Sequence, residues 1–192
     1  MRRRSRGVLP LILGSLLIVA ALCLVVYNIW DAERAANAAN EAVDALMDEI
    51  PSHDAEKIDN IPVVTVEDNQ YIGILEIPSL GITLPVMADW DYENLKISPC
   101  RFTGSCETRD LVICAHNYRT HFGPIRHLGI GEDVYLTTVD GQVYHYTVSN
   151  RQVLRPVVVE VMAEQEMNEW DLTLFTCTLG GKTRHVVRCV LE

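Results

Sequence analysis

Leu172-Thr173-Leu174-Phe175-Thr176-Cys177 is followed by Thr178-Leu179-Gly180-Gly181-Lys182-Thr183 and then by Arg184-His185-Val186-Val187. The outer runs are short, apolar and rich in β-branched and aromatic residues. The middle run is polar and glycine-containing. The segment therefore reads as strand, tight turn, strand. Pairing the strands as a hairpin sets Cys177 opposite Arg184. A cation beside a thiol lowers its pKa, and the thiolate is the nucleophile. A thiol at the open end of a strand facing a fixed charge is thus a candidate catalytic cysteine. Arg188 falls opposite about Thr173. Four residues of strand span roughly 13 Å, so Arg184 reaches a group reacting at Cys177 and Arg188 does not. The plain alternative for Arg184 is a surface arginine on a strand.

Outward from this hairpin the chain continues as short strands and turns. Residues 71–77 and 82–87 read as strands separated by Pro78-Ser79-Leu80-Gly81, with Pro85 marking an edge or a bulge. Residues 111–115 form a short, fully apolar strand. Residues 134–138 and 142–149 flank Val139-Asp140-Gly141, an Asp-Gly hairpin signal. Residues 153–161 read as a strand broken at Pro156, and 172–176 and 185–191 finish the chain. Seven or eight strands with few helices favour a mostly β fold, a closed or nearly closed barrel rather than a sandwich.

The N-terminal end differs. Met1-Arg2-Arg3-Arg4-Ser5-Arg6 is basic, and Val8 to Trp30 carries no charge. That run of about 23 residues is long enough to cross a bilayer. A secretory apolar region is shorter, and Ala36-Asn37-Ala38, the one cleavage-site mimic, lies well past it. The expectation is a transmembrane signal-anchor over 8–30, after a basic cytoplasmic tail over 1–7. The arginines before the span put the N-terminus inside and all that follows outside the plasma membrane. Residues 31–60 read as a helical, acidic linker, with Ala42, Val43, Leu46 and Ile50 at helical spacing, and 61–192 as the barrel. The net charge is −10, and −14 once the four N-terminal arginines are set aside. No basic stripe remains, which argues against a nucleic-acid partner.

Six cysteines are present. Cys23 lies in the span, Cys100 and Cys106 flank a loop short enough for a disulfide, and Cys114 and Cys189 sit in apolar runs as buried hydrophobes. Five cysteines outside the membrane leave at least one free thiol, assigned to Cys177. A thiol nucleophile needs a proton-handling partner, usually histidine. His53 falls in the linker, His145 in a strand, His121 and His127 in an expected surface loop, and His185 beside Arg184. His116 instead ends the apolar strand 111–115, held rigidly yet exposed at a barrel rim. A capping histidine is the equal alternative on position alone.

These residues resemble a family. A histidine, then a TLxTC motif (Thr173-Leu174-Phe175-Thr176-Cys177), then an arginine before an apolar strand is the order of the sortases, membrane-anchored cysteine transpeptidases of Gram-positive bacteria. Ala115-His116-Asn117 followed by Phe122, and Gly73-Ile74-Leu75-Glu76-Ile77-Pro78 with Leu84-Pro85-Val86, are similar as well, so the resemblance covers about 71–191. It implies the eight-stranded sortase barrel. It implies that Cys177 attacks the threonine carbonyl of a C-terminal LPxTG-type sorting signal on a surface protein. His116 would then handle protons at the leaving and incoming amines, and Arg184 would hold substrate or oxyanion. Thr176, Asn117 and Tyr118, beside these residues, are the expected substrate contacts. The acyl group would pass to an amine of a lipid-linked cell-wall precursor or a pilin lysine, with no metal or cofactor. The turn 178–183 is short, as is 163–171, which is expected to line the pocket for the signal. Asp89-Trp90 resembles the aromatic lid of pilin sortases but follows the first strands, and reads as a loop. The rival readings are a cysteine hydrolase with water as acceptor, a surface module in which Cys177 is bonded to Cys189 or Cys114, and a zinc site from Cys114, His116 and Cys189.

Overall fold

β9 (Leu172–Cys177) and β10 (Arg184–Leu191) pair antiparallel, with Cys177 opposite Arg184 and Thr173 opposite Arg188, the register expected from the sequence. Their turn is closed by paired threonines. The Thr178 amide donates to the Thr183 carbonyl at 3.0 Å, and the two hydroxyls lie 2.9 Å apart. Gly180 and Gly181 take φ of 88° and 71°, a region costly for any residue with a Cβ. The computed structural model describes residues 8–50, 56–58, 61–155 and 170–192.

Among the described residues the remaining elements are helix α1 (Val8–Glu49) and strands β1 (Glu56–Ile58), β2 (Ile61–Val66), β3 (Asn69–Ile77), β4 (Ile82–Met87), β5 (Cys100–Thr103), β6 (Leu111–Ala115), β7 (Asp133–Thr138) and β8 (Val143–Leu154). Short 3₁₀ turns occur at Pro78–Leu80, Asn94–Lys96 and Gly123–His127. The strands run β3-β4-β5-β6-β9-β10-β8-β7, and β7 returns to pair with β3, so eight strands close a barrel. β2 and β1 extend from β3 outside the ring. Two contacts in the ring are parallel, β4 with β5 at the single pair Met87–Cys100, and β6 with β9 over five pairs from Leu111–Leu172 to Ala115–Thr176. β4 is thus nearly an edge at Pro85, whose carbonyl is met by the Ser98 hydroxyl.

The chain forms two compact units, 1–34 and 35–192. In the first, α1 carries a stretch that is long and apolar enough to cross a membrane. In the second, the rest of α1 is part of the folded unit. Ala35, Ala39, Ala42, Val43 and Leu46 are buried there, and Ala42, Val43 and Leu46 pack with Tyr71, Ile74 and Met87.

Side chains alternate across each strand, and this sorts the core into two clusters. The barrel interior takes Leu111, Ile113 and Ala115 of β6, Leu172 and Leu174 of β9, and Val187 and Cys189 of β10. The other face takes Val112 and Cys114, Phe175, and Val186, with the α1 residues.

Three local expectations differ. β8 runs unbroken through residue 150, because its partner changes from β7 to β10 along its length, so the break expected at 149–153 is absent. The rest of the strand expected to 161, and the signal-lining segment up to 169, lie outside the described residues. β2 lies where linker meets barrel. The loop read as a disulfide closure contains β5, and Cys100 faces Cys114 across the β5–β6 ladder rather than Cys106. All six cysteines are free thiols.

Candidate active site

His116, Cys177 and Arg184 are brought together by strand register alone. Ala115 and Thr176 are the last parallel pair of β6 and β9. His116 and Cys177 come one residue later on strands that lie about 4.8 Å apart. Cys177 pairs with Arg184 on the third strand. Each of the three stands two residues from a member of the second cluster, Cys114, Phe175 and Val186 respectively. Period-two alternation therefore aims all three at one face, the one opposite the barrel interior.

Thr176 lies beneath this trio. Its hydroxyl is buried and donates to the Ala115 carbonyl at 2.8 Å, tying β6 to β9 one residue below His116 and Cys177. Its side chain, expected to touch substrate, is turned inward and engaged in strand alignment. Asn117 lines a cavity of about 220 Å³ with Cys177, Thr178, Leu179, Gly123, Arg126 and His185. Tyr118 lies against His116, ring centroids 4.9 Å apart. The Arg184 Nη1 donates to the carbonyls of Gly181 and Thr183 at 3.0 and 3.1 Å, so the guanidinium is held by its own turn. Arg188 is buried and lies over the Trp170 ring at 4.2 Å, far along β10 from Cys177.

The loop after His116 departs from expectation. His121 is fully buried rather than exposed. The Phe122 amide returns to the His116 carbonyl at 3.2 Å and the Gly123 amide to that of Tyr118 at 2.9 Å, which folds the loop inward. The His121 ring packs 5.4 Å from Tyr118, giving a row His116–Tyr118–His121. Burial, with His116 nearby, pushes the His121 pKa down to about 4, opposed by the backbone of Ala35. Gly123 completes the loop by close approach. A Cβ there would stand 2.5 Å from the Tyr118 carbonyl oxygen and 2.7 Å from that of Asn117.

Among the thiols, Cys177 is half-buried and opens onto the cavity. Burial pushes Cys106 up to about 11, and Cys114 and Cys189 to about 12. Cys114 and Cys189 belong to opposite faces of the sheet, so they cannot share a zinc ion with His116. His145 pairs with Asp133 at 2.8 Å, and His127 with Arg126 at 3.0 Å. His53 lies outside the described residues. Sequence reasoning missed an aromatic row on the site's face. Trp90 packs on Phe102 at 5.3 Å and Phe102 on Phe175 at 5.5 Å, with Trp90 in the loop between β4 and β5.

The model of the sortase domain family matches residues 75–192. The chain belongs to the sortase family. Its members are cysteine transpeptidases. Solved sortases share the fold. Sortase A from Corynebacterium diphtheriae is 23% identical with a TM-score of 0.57, covering 65% of this chain and 61% of that one. This sortase thus spans less than two thirds of that structure. Sortase C from Clostridium perfringens SM101 is 22% identical with a TM-score of 0.55, covering 84% and 89%. Sortase C1 from Streptococcus suis is 25% identical with a TM-score of 0.53, covering 64% and 73%. No curated protein matches the sequence.

Proposed function

We propose that this sortase is a membrane-anchored transpeptidase acting outside the cell on LPxTG-like C-terminal sorting signals, with Cys177 as nucleophile. The observation that carries the reading is the convergence of His116, Cys177 and Arg184 on one face at the ends of three neighbouring strands. The Cys177 sulfur attacks the carbonyl carbon of the threonine-like residue. The tetrahedral oxyanion collapses to a thioester and expels the C-terminal fragment as an amine, which takes its proton from His116. The acceptor amine then attacks the thioester, gives its proton to His116, and Cys177 leaves. Arg184 stabilises the oxyanion or clamps the signal's backbone. Its Nη1 is anchored to the turn, which leaves the other edge of the guanidinium for that contact. The aromatic row Trp90–Phe102–Phe175 supplies an apolar surface on the same face for the leucine-proline end of the signal.

In this reading residues 8–30 are the anchor, with the N-terminus inside, and the acceptor is an amine of a lipid-linked peptidoglycan precursor or a pilin lysine. Intact-mass analysis with a panel of LPxTG-like peptides tests it. The expected result is an acyl adduct on Cys177 that discharges onto an added amine, and no adduct on Cys177→Ala. Discharge to water alone, with amine present, makes the protein a hydrolase. A Cys177 that is inert to alkylation overturns the reading.

A further inference from the structure

The sheet has a second face at the same strand ends. His185 stands two residues before Val187 and so points with it toward the barrel interior, opposite to Arg184. There a cavity of about 500 Å³ opens between the turn Gly123–His127 and the ends of β8 and β10. Arg126, Arg151 and His185 line it, with Ser149, Asn150 and Gln152. Arg126 and His185 also line the 220 Å³ cavity that holds Cys177. The two spaces share a wall formed by Arg126 and His185, and the larger one lies on the face that the aromatic row does not occupy.

Positive charge is concentrated there in a chain that is −10 overall. The Arg126 Nη1 donates to the Gly123 carbonyl at 3.1 Å and its Nε to His127 at 3.0 Å, which fixes the guanidinium. The Arg151 Nη2 donates to the Arg126 carbonyl. Among the described residues, neither arginine has a carboxylate within 4 Å. Glu132 feels Arg151 but accepts from the Ser79 hydroxyl and the Gly129 amide. His185 is held below the ordinary histidine range by burial and then by Arg126, Arg151 and His127, so these groups crowd one space. Two guanidiniums that line the cavity, both solvent-exposed and without a carboxylate partner among the described residues, suit a planar or tetrahedral oxyanion. Arg151 pairs with Val187, three residues along β10 from Arg184, so the anion would lie about 10 Å from the thiol.

We propose that this cavity binds an anionic group of the acceptor, a carboxylate or phosphate held by Arg126 and Arg151 about 10 Å from the amine that attacks the Cys177 thioester. The inference rests on the transfer reading above and adds the charge of the acceptor and the face it approaches from.

The test uses the full chain in detergent micelles and two matched amine pairs whose extended lengths fit that spacing, 8-aminooctanoate with its carboxamide and 6-aminohexyl phosphate with 6-aminohexanol. Binding is measured on Cys177→Ala, so it does not depend on turnover. Transfer is measured on the wild type preloaded with a signal peptide. The anionic member of at least one pair is expected to bind and to accept about tenfold better than its neutral twin. The pair that shows the preference identifies carboxylate or phosphate. In the Arg126→Gln/Arg151→Gln double variant the ratio should fall below about twofold. The ratio is internal to each variant, so a general loss of activity cancels. Normal acylation of Cys177 with equal use of neutral and anionic amines, or a preference that survives the double variant, overturns the inference alone. An anion preference in binding with no acylation by any peptide, on a Cys177 inert to alkylation, overturns the transfer reading and the acceptor assignment with it.

Discussion

Replacing Gly123 by alanine perturbs the site through the backbone. The added Cβ would meet the Tyr118 carbonyl oxygen at 2.5 Å and the Asn117 oxygen at 2.7 Å, both main-chain atoms. Ordinary contact begins near 3.4 Å, so the loop must shift by about 0.9 Å. Asn117 and Tyr118 directly follow His116, and Tyr118 packs on its ring, so the displacement reaches the group proposed above to handle protons. Misplacing a reacting group by about 1 Å costs on the order of 10²-fold in rate, whereas overpacking of this kind costs about 1–3 kcal/mol of stability. Gly123→Ala should therefore stay folded and acylate Cys177 about 10²-fold more slowly. The assay is the rate of adduct formation with a signal peptide, normalised to the folded fraction from urea unfolding. Gly129→Ala is the control, because its Cβ would meet only the Glu132 side chain, at 3.4 Å. A Gly123→Ala protein that acylates within about twofold of wild type would refute the claim that this close approach sets the His116 geometry.

Arg184→Ala should cost about 2.7–4 kcal/mol of transition-state stabilisation, read as kcat/KM. Arg188→Ala should instead lower stability, since Arg188 is buried over Trp170; the reverse order in kinetics would contradict the register. Thr176→Val removes the buried bond to Ala115 and should destabilise by about 1–2 kcal/mol, seen as a lower urea midpoint at unchanged slope. His121 folds neutral with a pKa near 4. Its contribution is complete above about pH 6.5 and is lost as pH falls toward 4, by about 3 kcal/mol in total. Unfolding free energies from pH 7 to 4 should be less steep in His121→Leu, and identical slopes would contradict the burial argument.

The Cys177–Arg184 register was legible because a hairpin is a local structure. Its turn is six residues long, and its glycines and threonines announce it. The Asp140-Gly141 hairpin between β7 and β8 was legible for the same reason. The neighbourhood of His116 and Cys177 was not, because β6 and β9 pair in parallel across about 60 residues of chain, and nothing in either strand names its partner. His121 was misread because a polar loop of Asn117, Tyr118, Arg119 and Thr120 reads as solvent-facing, while three backbone hydrogen bonds turn it inward. The second half of α1 looked like a spacer. Its apolar stripe of Ala39, Ala42, Val43 and Leu46 is narrow and mostly small, and only the complementary surface from β3 and β4 makes it core.

If Cys177 and His116 act as proposed, the parallel β6–β9 contact also sets when this sortase becomes chemically competent. A chain that emerges N-terminus first exposes His116 long before Cys177. The two become neighbours only once β9 inserts between β6 and β10, among the last strands made. Pairings so distant in sequence form slowly. In the mechanism proposed above, until the barrel closes the Cys177 thiol has neither histidine nor groove, and the nascent chain is a poor nucleophile toward peptide carbonyls around it.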